Sequence, residues 1–152
     1  MWNNNVLHDE VQLFIGACRS EGEKIYNSLY WIKEGRVEQY YDKSRLMPLV
    51  EYVPSWCKKI PCIGNSFLNN NEFSASVWGQ DFNVDDGIIL EPSICAELFF
   101  GKYLADDKTP DNAIALSIIN DTVLDQFFYN LMLLWNSFKA IEQNQFRFHV
   151  GY

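Results

Sequence analysis

At 152 residues, 48% apolar and 16% aromatic, the chain carries too many core-forming side chains for a disordered polymer, and its length suits one globular domain over 1–152. Its formal charge of −8 is lopsided. Residues 1–59 hold eight Lys/Arg against eight acids, residues 60–152 hold four against twelve, and no Lys or Arg occurs from Ile60 to Gly101. That balance speaks against nucleic-acid binding, which needs cations opposite phosphate.

In chain order, Leu7, Val11, Phe14 and Cys18 form a helical stripe, predicting a first helix over about 6–19. Ser20-Glu21-Gly22-Glu23 reads as a capping box, and Ile25, Leu29 and Ile32 continue at helical steps to Gly35. The rival reading is a hairpin, Leu29–Ile32 against Val37–Tyr41, turning at Glu34-Gly35; the helix is favoured. Trp31, Tyr40 and Tyr41 read as core and rim. Pro48, Pro54 and Pro61 predict loop with extended pieces. Residues 73–78 alternate like a strand, and Gly87-Ile-Ile-Leu90 gives a second short one. Pro92 with Ile94, Leu98 and Phe99 predicts a helix to about Leu104.

Thr109-Pro110-Asp111 signals a helix to Ile119, although Ile114, Leu116 and Ile118 also alternate like a buried strand. The strongest pattern follows. Val123, Leu124, Phe127, Phe128, Leu131, Leu134, Trp135, Phe138 and Ile141 share one helical face between Thr122 and Gln143, with Thr122 and Asp125 as a cap, and that face is expected to be the core. Phe146–Val150 alternates as a last edge strand. The fold class expected is α+β: a helix-rich domain with a small antiparallel sheet and a long C-terminal amphipathic helix.

The chemistry reads as absence. His8 and His149 lie near the chain ends, outside any nucleophile-and-base motif. Isolated glycines make no phosphate loop. Asp81-Phe-Asn-Val-Asp85-Asp86-Gly87 departs from the calcium-loop spacing, and Cys18 and Cys95 stand alone, which breaks a four-cysteine zinc pattern; no metal or cofactor is expected. The longest uncharged piece of the last helix, Gln126–Phe138, is shorter than the ~20 residues of a membrane span, and MWNNNVLHDE does not look like a secretory signal. A cytoplasmic chain with reduced thiols is expected.

In overall character, through WGQDFNVDDG (78–87) and ADDKTPDN (105–112), the chain resembles the immunity proteins of bacterial toxin systems, including those of contact-dependent growth inhibition. The resemblance implies a non-enzymatic protein that covers the active site of a cognate basic toxin, a nuclease. Glu72, Trp78, Asp81, Phe82, Asp85, Asp86, Glu91, Asp106, Asp107 and Asp111 are then the candidate partner-binding residues, with acids steering the basic partner and the aromatics anchoring it. Two other classes stay open: an enzyme or ligand binder with an aromatic and acidic pocket, and a self-associating subunit.

Overall fold

The computed structural model describes residues 11–59, 72–77, 80–84, 87–100, 110–119 and 126–151. Two sheets and one α-helix are found among them. The first sheet is the antiparallel meander β1 (Gln12–Glu21), β2 (Lys24–Lys33) and β3 (Arg36–Asp42). Glu21 pairs with Lys24 across a two-residue loop whose Gly22 has φ 60°, and Lys33 pairs with Arg36 across Glu34 (φ 51°) and Gly35 (φ 75°). Tight hairpins need such left-handed positions, so the glycines turn the chain here and do not cap helices. The two helices expected over 6–35 are therefore overturned, and the rival hairpin at Glu34-Gly35 is what forms.

The second sheet runs in the order β4 (Phe82–Asn83), β5 (Ile89–Ile94), β6 (Ala113–Ile119) and β7 (Phe146–Gly151). β4 is antiparallel to β5, whereas β5, β6 and β7 are mutually parallel. Parallel neighbours need a crossover, and α1 (Gln126–Gln143) supplies it between β6 and β7. β6, AIALSII, is buried or half-buried throughout, as expected for a central parallel strand covered on both faces. It replaces the helix expected over Pro110–Ile119. Likewise Pro92 lies inside β5, and only Cys95–Phe99 coils, as a short 3-10 helix. The strand expected over 73–78 reduces to a single bridge between Phe73 and Ile25. The helix-rich class with a small antiparallel sheet gives way to a mostly stranded, partly parallel architecture.

The sheets pack face to face through Leu29, Trp31, Tyr41, Phe82, Leu90, Ile94 and Leu116, with Phe14 against them. Phe14, Trp31 and Phe82 form an aromatic joint with centroids 6.1–6.4 Å apart. Such pairs add about 0.5–1.5 kcal/mol each beyond the area they bury. At Gly16 the sheets approach so closely that a Cβ would stand 2.9 Å from Ile118 Cδ1.

α1 covers the opposite face of the second sheet, but not with its expected apolar stripe. Met132 (3% exposed) and Asn136 (7%) point inward, while Leu134 (68%) and Ile141 (82%) point away, as do Phe127, Phe128 and Phe138. Val123, Leu124 and the Thr122/Asp125 cap fall outside the described residues. Beside an apolar cluster of Leu98, Ile119 and Met132, the inward layer is polar. Arg147 donates from Nε to Asn136 Oδ1 (3.0 Å) and from one terminal nitrogen to Gln143 Oε1 (2.8 Å) and Gln145 Oε1 (3.1 Å). Gln145 Nε2 donates onward to Glu91 Oε2 (2.9 Å). Burial lowers the Arg147 pKa, and the Glu91 charge partly offsets that. Glu91, Ala115 and Arg147 stand side by side across β5, β6 and β7, so the arginine is anchored by sheet register as well as by the helix.

Candidate active site

Strained backbone marks the C-terminal end of β5. Cys95, the first residue after the strand, has φ 56°, and Leu49 has φ 64°. Non-glycine residues in this left-handed region cost of order 1–3 kcal/mol and persist where the surroundings force them, commonly at functional sites. Both lie beside one cavity of about 650 Å3, which Cys95, Met47, Val50 and Glu51 line. Phe14, Ile15, Phe73, Ile94, Ile118 and Val150 give it a mostly apolar wall, which Cys18 and Asn27 also join. A cysteine at a strand-to-helix turn, held in a strained conformation at the mouth of a cavity, has the setting of an exposed nucleophile.

The polar part of the lining is Asn27 and the Glu51 carboxylate, and Glu51 in turn holds a buried lysine. Lys43 follows β3 directly and is 1% exposed. Its backbone is fixed on both sides, because Lys43 N–H donates to Asn27 O (2.8 Å) and Lys43 O accepts from Ser76 N–H (3.1 Å). Lys43 Nζ donates to Glu51 Oε2 at 2.7 Å, and the two side chains are 2% and 9% exposed. The Glu51 carboxylate also accepts from Asn27 Nδ2 (3.0 Å) and from Met47 N–H (2.8 Å). A buried pair breaks even against its desolvation only when further hydrogen bonds complete it, and here the carboxylate has three donors.

The turn carrying Cys95 is tied in two directions. Glu97, 2% exposed, accepts from Ile94 N–H (2.9 Å) on its own turn and from Ser44 N–H (2.8 Å) and Arg45 N–H (2.9 Å), the two residues after Lys43. Tyr41 Oη and Ser44 Oγ also donate to it at 2.9 Å. The Tyr41 phenol is pushed well above its ordinary pKa, first by burial and then by the Glu97 charge. On the other side Leu98 packs with Ile119 and Met132, and Trp135 Nε1 donates to Leu98 O (3.2 Å).

None of these four groups is among the residues expected from sequence. Of those, Phe82 is buried in the core between the sheets (1% exposed), and Glu91 is buried on the helix side. Glu72 is exposed and paired with Lys58 at 2.8 Å, Asp81 is half-buried, and Asp111 is exposed beyond the start of β6. Trp78, Asp85, Asp86, Asp106 and Asp107 lie outside the described residues. The described members thus divide between core, helix side and surface. Cys95 stands alone in the sequence, with no second cysteine or histidine at motif spacing. The available signal is its place five residues after the strand-like Gly87-Ile-Ile-Leu90 and two residues before an acid.

No family model matches the chain. It is 34% identical over 127 residues to an apolipoprotein N-acyltransferase of Rhizobium rhizogenes, a match covering 76% of this chain and 23% of that protein. It is 33% identical over 125 residues to the apolipoprotein N-acyltransferase of Rhizobium leguminosarum bv. trifolii, covering 77% and 23%. The chain therefore spans about a quarter of the length of the curated relatives it matches. Among solved structures, a CN-hydrolase superfamily protein from Xanthomonas campestris with an arsenic adduct in its active site superposes with TM-score 0.59 at 20% identity, covering 92% of this chain and 47% of that one.

These findings overturn the immunity-protein resemblance, with its inhibitory function and its non-enzymatic character, because the relatives bear the name of an enzyme. The cytoplasmic placement falls with them, since it rested on the same resemblance and on missing signals, and the relatives are apolipoprotein N-acyltransferases. Among the described residues no helix is long and apolar enough to cross a membrane. Two packed sheets, one parallel in its centre and covered by a helix, together with the match to the solved structure, give this chain a CN-hydrolase-like fold.

Proposed function

We propose that the chain forms part of an N-acyltransferase whose nucleophile is Cys95. The thiolate attacks the carbonyl carbon of an acyl ester; the C–S bond forms, the ester C–O bond breaks, and the alcohol leaves with the thiol's proton. An amine then attacks the thioester, the C–N bond forms, the C–S bond breaks, and the amine's proton returns to sulfur. The buried Lys43 ammonium supplies positive charge for the thiolate and for the oxyanion of each tetrahedral intermediate, and Glu51 keeps it paired when the site is empty. The apolar wall from Phe14 to Val150 suits an acyl chain. The relatives' name supplies the acceptor class, the amine of an apolipoprotein.

The observation that carries this reading is the strained Cys95 backbone on a cavity shared with the carboxylate that holds Lys43. The experiment is a trap: the chain is incubated with p-nitrophenyl octanoate and its cysteine peptides are examined by mass spectrometry. A hydroxylamine-labile octanoyl group should accumulate on Cys95 and vanish in Cys95→Ser. An adduct spread evenly over Cys18, Cys57 and Cys95, or none at all, overturns the assignment.

A further inference from the structure

We propose that Glu97 is a positioning residue of this site, its buried carboxylate acting as a strut that holds the Cys95 turn at a set distance from the backbone bearing Lys43. The proposal rests on the reading of Cys95 as nucleophile. Cys95 and Lys43 come from different sheets, at the ends of β5 and β3, and no hydrogen-bond ladder of either sheet fixes one against the other. Glu97 bridges that gap. It takes Ile94 N–H from the residue before the thiol, and Ser44 and Arg45 N–H from the two residues after the lysine.

The geometry is closed on both oxygens. Oε1 accepts Ser44 N–H, Arg45 N–H and Ser44 Oγ, Oε2 accepts Ile94 N–H, and the Tyr41 hydroxyl lies 2.9 Å from each. A carboxylate is an acceptor on every lone pair, so it can join donors from both sheet edges at once; a glutamine would turn an N–H against one of them. The side chain is nearly fully buried and lies outside the cavity wall. Glu97 thus acts through Cys95 and Lys43 and not on substrate. Reacting groups tolerate little misplacement, and an error of about 1 Å in such a site costs on the order of 100-fold in rate.

The test compares the wild-type chain with Glu97→Gln, Tyr41→Phe and Ser44→Ala. Two readouts are taken at Cys95: the p-nitrophenyl octanoate acylation rate, and the pH profile of iodoacetamide alkylation followed on the Cys95 peptide. Circular dichroism and thermal melting report the fold. With the fold retained, Glu97→Gln should acylate roughly 100-fold more slowly, and the pH profile of Cys95 alkylation should change with it, because the turn no longer holds the thiol in place. Tyr41→Phe and Ser44→Ala, each removing one donor, should fall by about 3- to 10-fold with smaller changes in that profile. Should Glu97→Gln fail to fold, those two variants carry the test. A folded Glu97→Gln, or in its place both single-donor variants, with wild-type acylation and an unchanged pH profile overturns the strut. A wild-type chain that acylates no cysteine selectively defeats instead the nucleophile reading on which the strut depends.

Discussion

The two faces of the second sheet are buried by opposite means. Against the first sheet, β4, β5 and β6 present Phe82, Leu90, Ile94 and Leu116, and the joint is apolar and aromatic. Against α1, the same sheet presents Glu91, Ser117 and Arg147, and the helix answers with Asn136 and Gln143 around Met132. The first face follows the rule that apolar side chains lie inside. The second combines a small apolar cluster, Leu98, Ile119 and Met132, with buried polar groups, and most of the large apolar residues of α1 point outward instead. The cavity with Cys95 opens from the first face, while the second holds the crossover helix in place through hydrogen bonds that depend on direction. Apolarity therefore locates the core of one face and misplaces the core of the other.

The largest effect should come from the buried ion pair whose carboxylate lines the cavity. Lys43→Met leaves Glu51 buried without its cation, and breaking such a pair costs about 3–5 kcal/mol. Chemical denaturation should show that loss, and the octanoyl adduct on Cys95 should disappear even under conditions where the variant remains folded. A stability unchanged within 1 kcal/mol would show that the pair is not closed off from water.

On the helix face, the contrast is between two apolar residues of α1. Met132→Ala should cost about 2–4 kcal/mol, since the residue is 3% exposed and packs on Leu98 and Ile119. Ile141→Gln should change stability by no more than about 0.5 kcal/mol, because the side chain is 82% exposed. Equal losses from both, measured by urea titration, would mean that the outward stripe is covered in solution.

A smaller effect links the faces through pH. The folded Tyr41 pKa lies above the unfolded value of about 10, so the stability it contributes is complete below pH 10 and is lost as pH rises above it. Melting temperature should fall between about pH 10 and 11 in the wild type. Tyr41→Phe, less stable at neutral pH for want of the bond to Glu97, should show a shallower decline over that interval. Parallel slopes would remove Tyr41 as the group responsible.

Periodicity made some of this legible. The extent of α1 and the terminal strand β7 stand in the residue pattern, and so does the Glu34-Gly35 turn, because each reflects backbone preferences within a few neighbours. What periodicity leaves open is which way a face points. Phe127, Leu134 and Ile141 share a side of α1 whatever surrounds it, yet only the register of Glu91, Ala115 and Arg147 beneath the helix decides that the other side is held inward. The same holds for residues 12–33, where apolar steps fit a helix until pairing with β3 and packing of Phe14 on Trp31 and Phe82 select strands.

The site was wholly a matter of tertiary structure. Lys43, Glu51, Cys95 and Glu97 come from the end of one strand, a proline-bounded loop and a turn after another strand, and more than forty residues separate the first two from the last two along the chain. Composition alone established a globular chain with its surplus of acid in the C-terminal two-thirds. Where those charges went, some to the core, some to the surface and one to the strut beneath the thiol, depended on contacts between residues up to 56 positions apart, because a hydrogen bond is set by distance in space and not by separation in sequence.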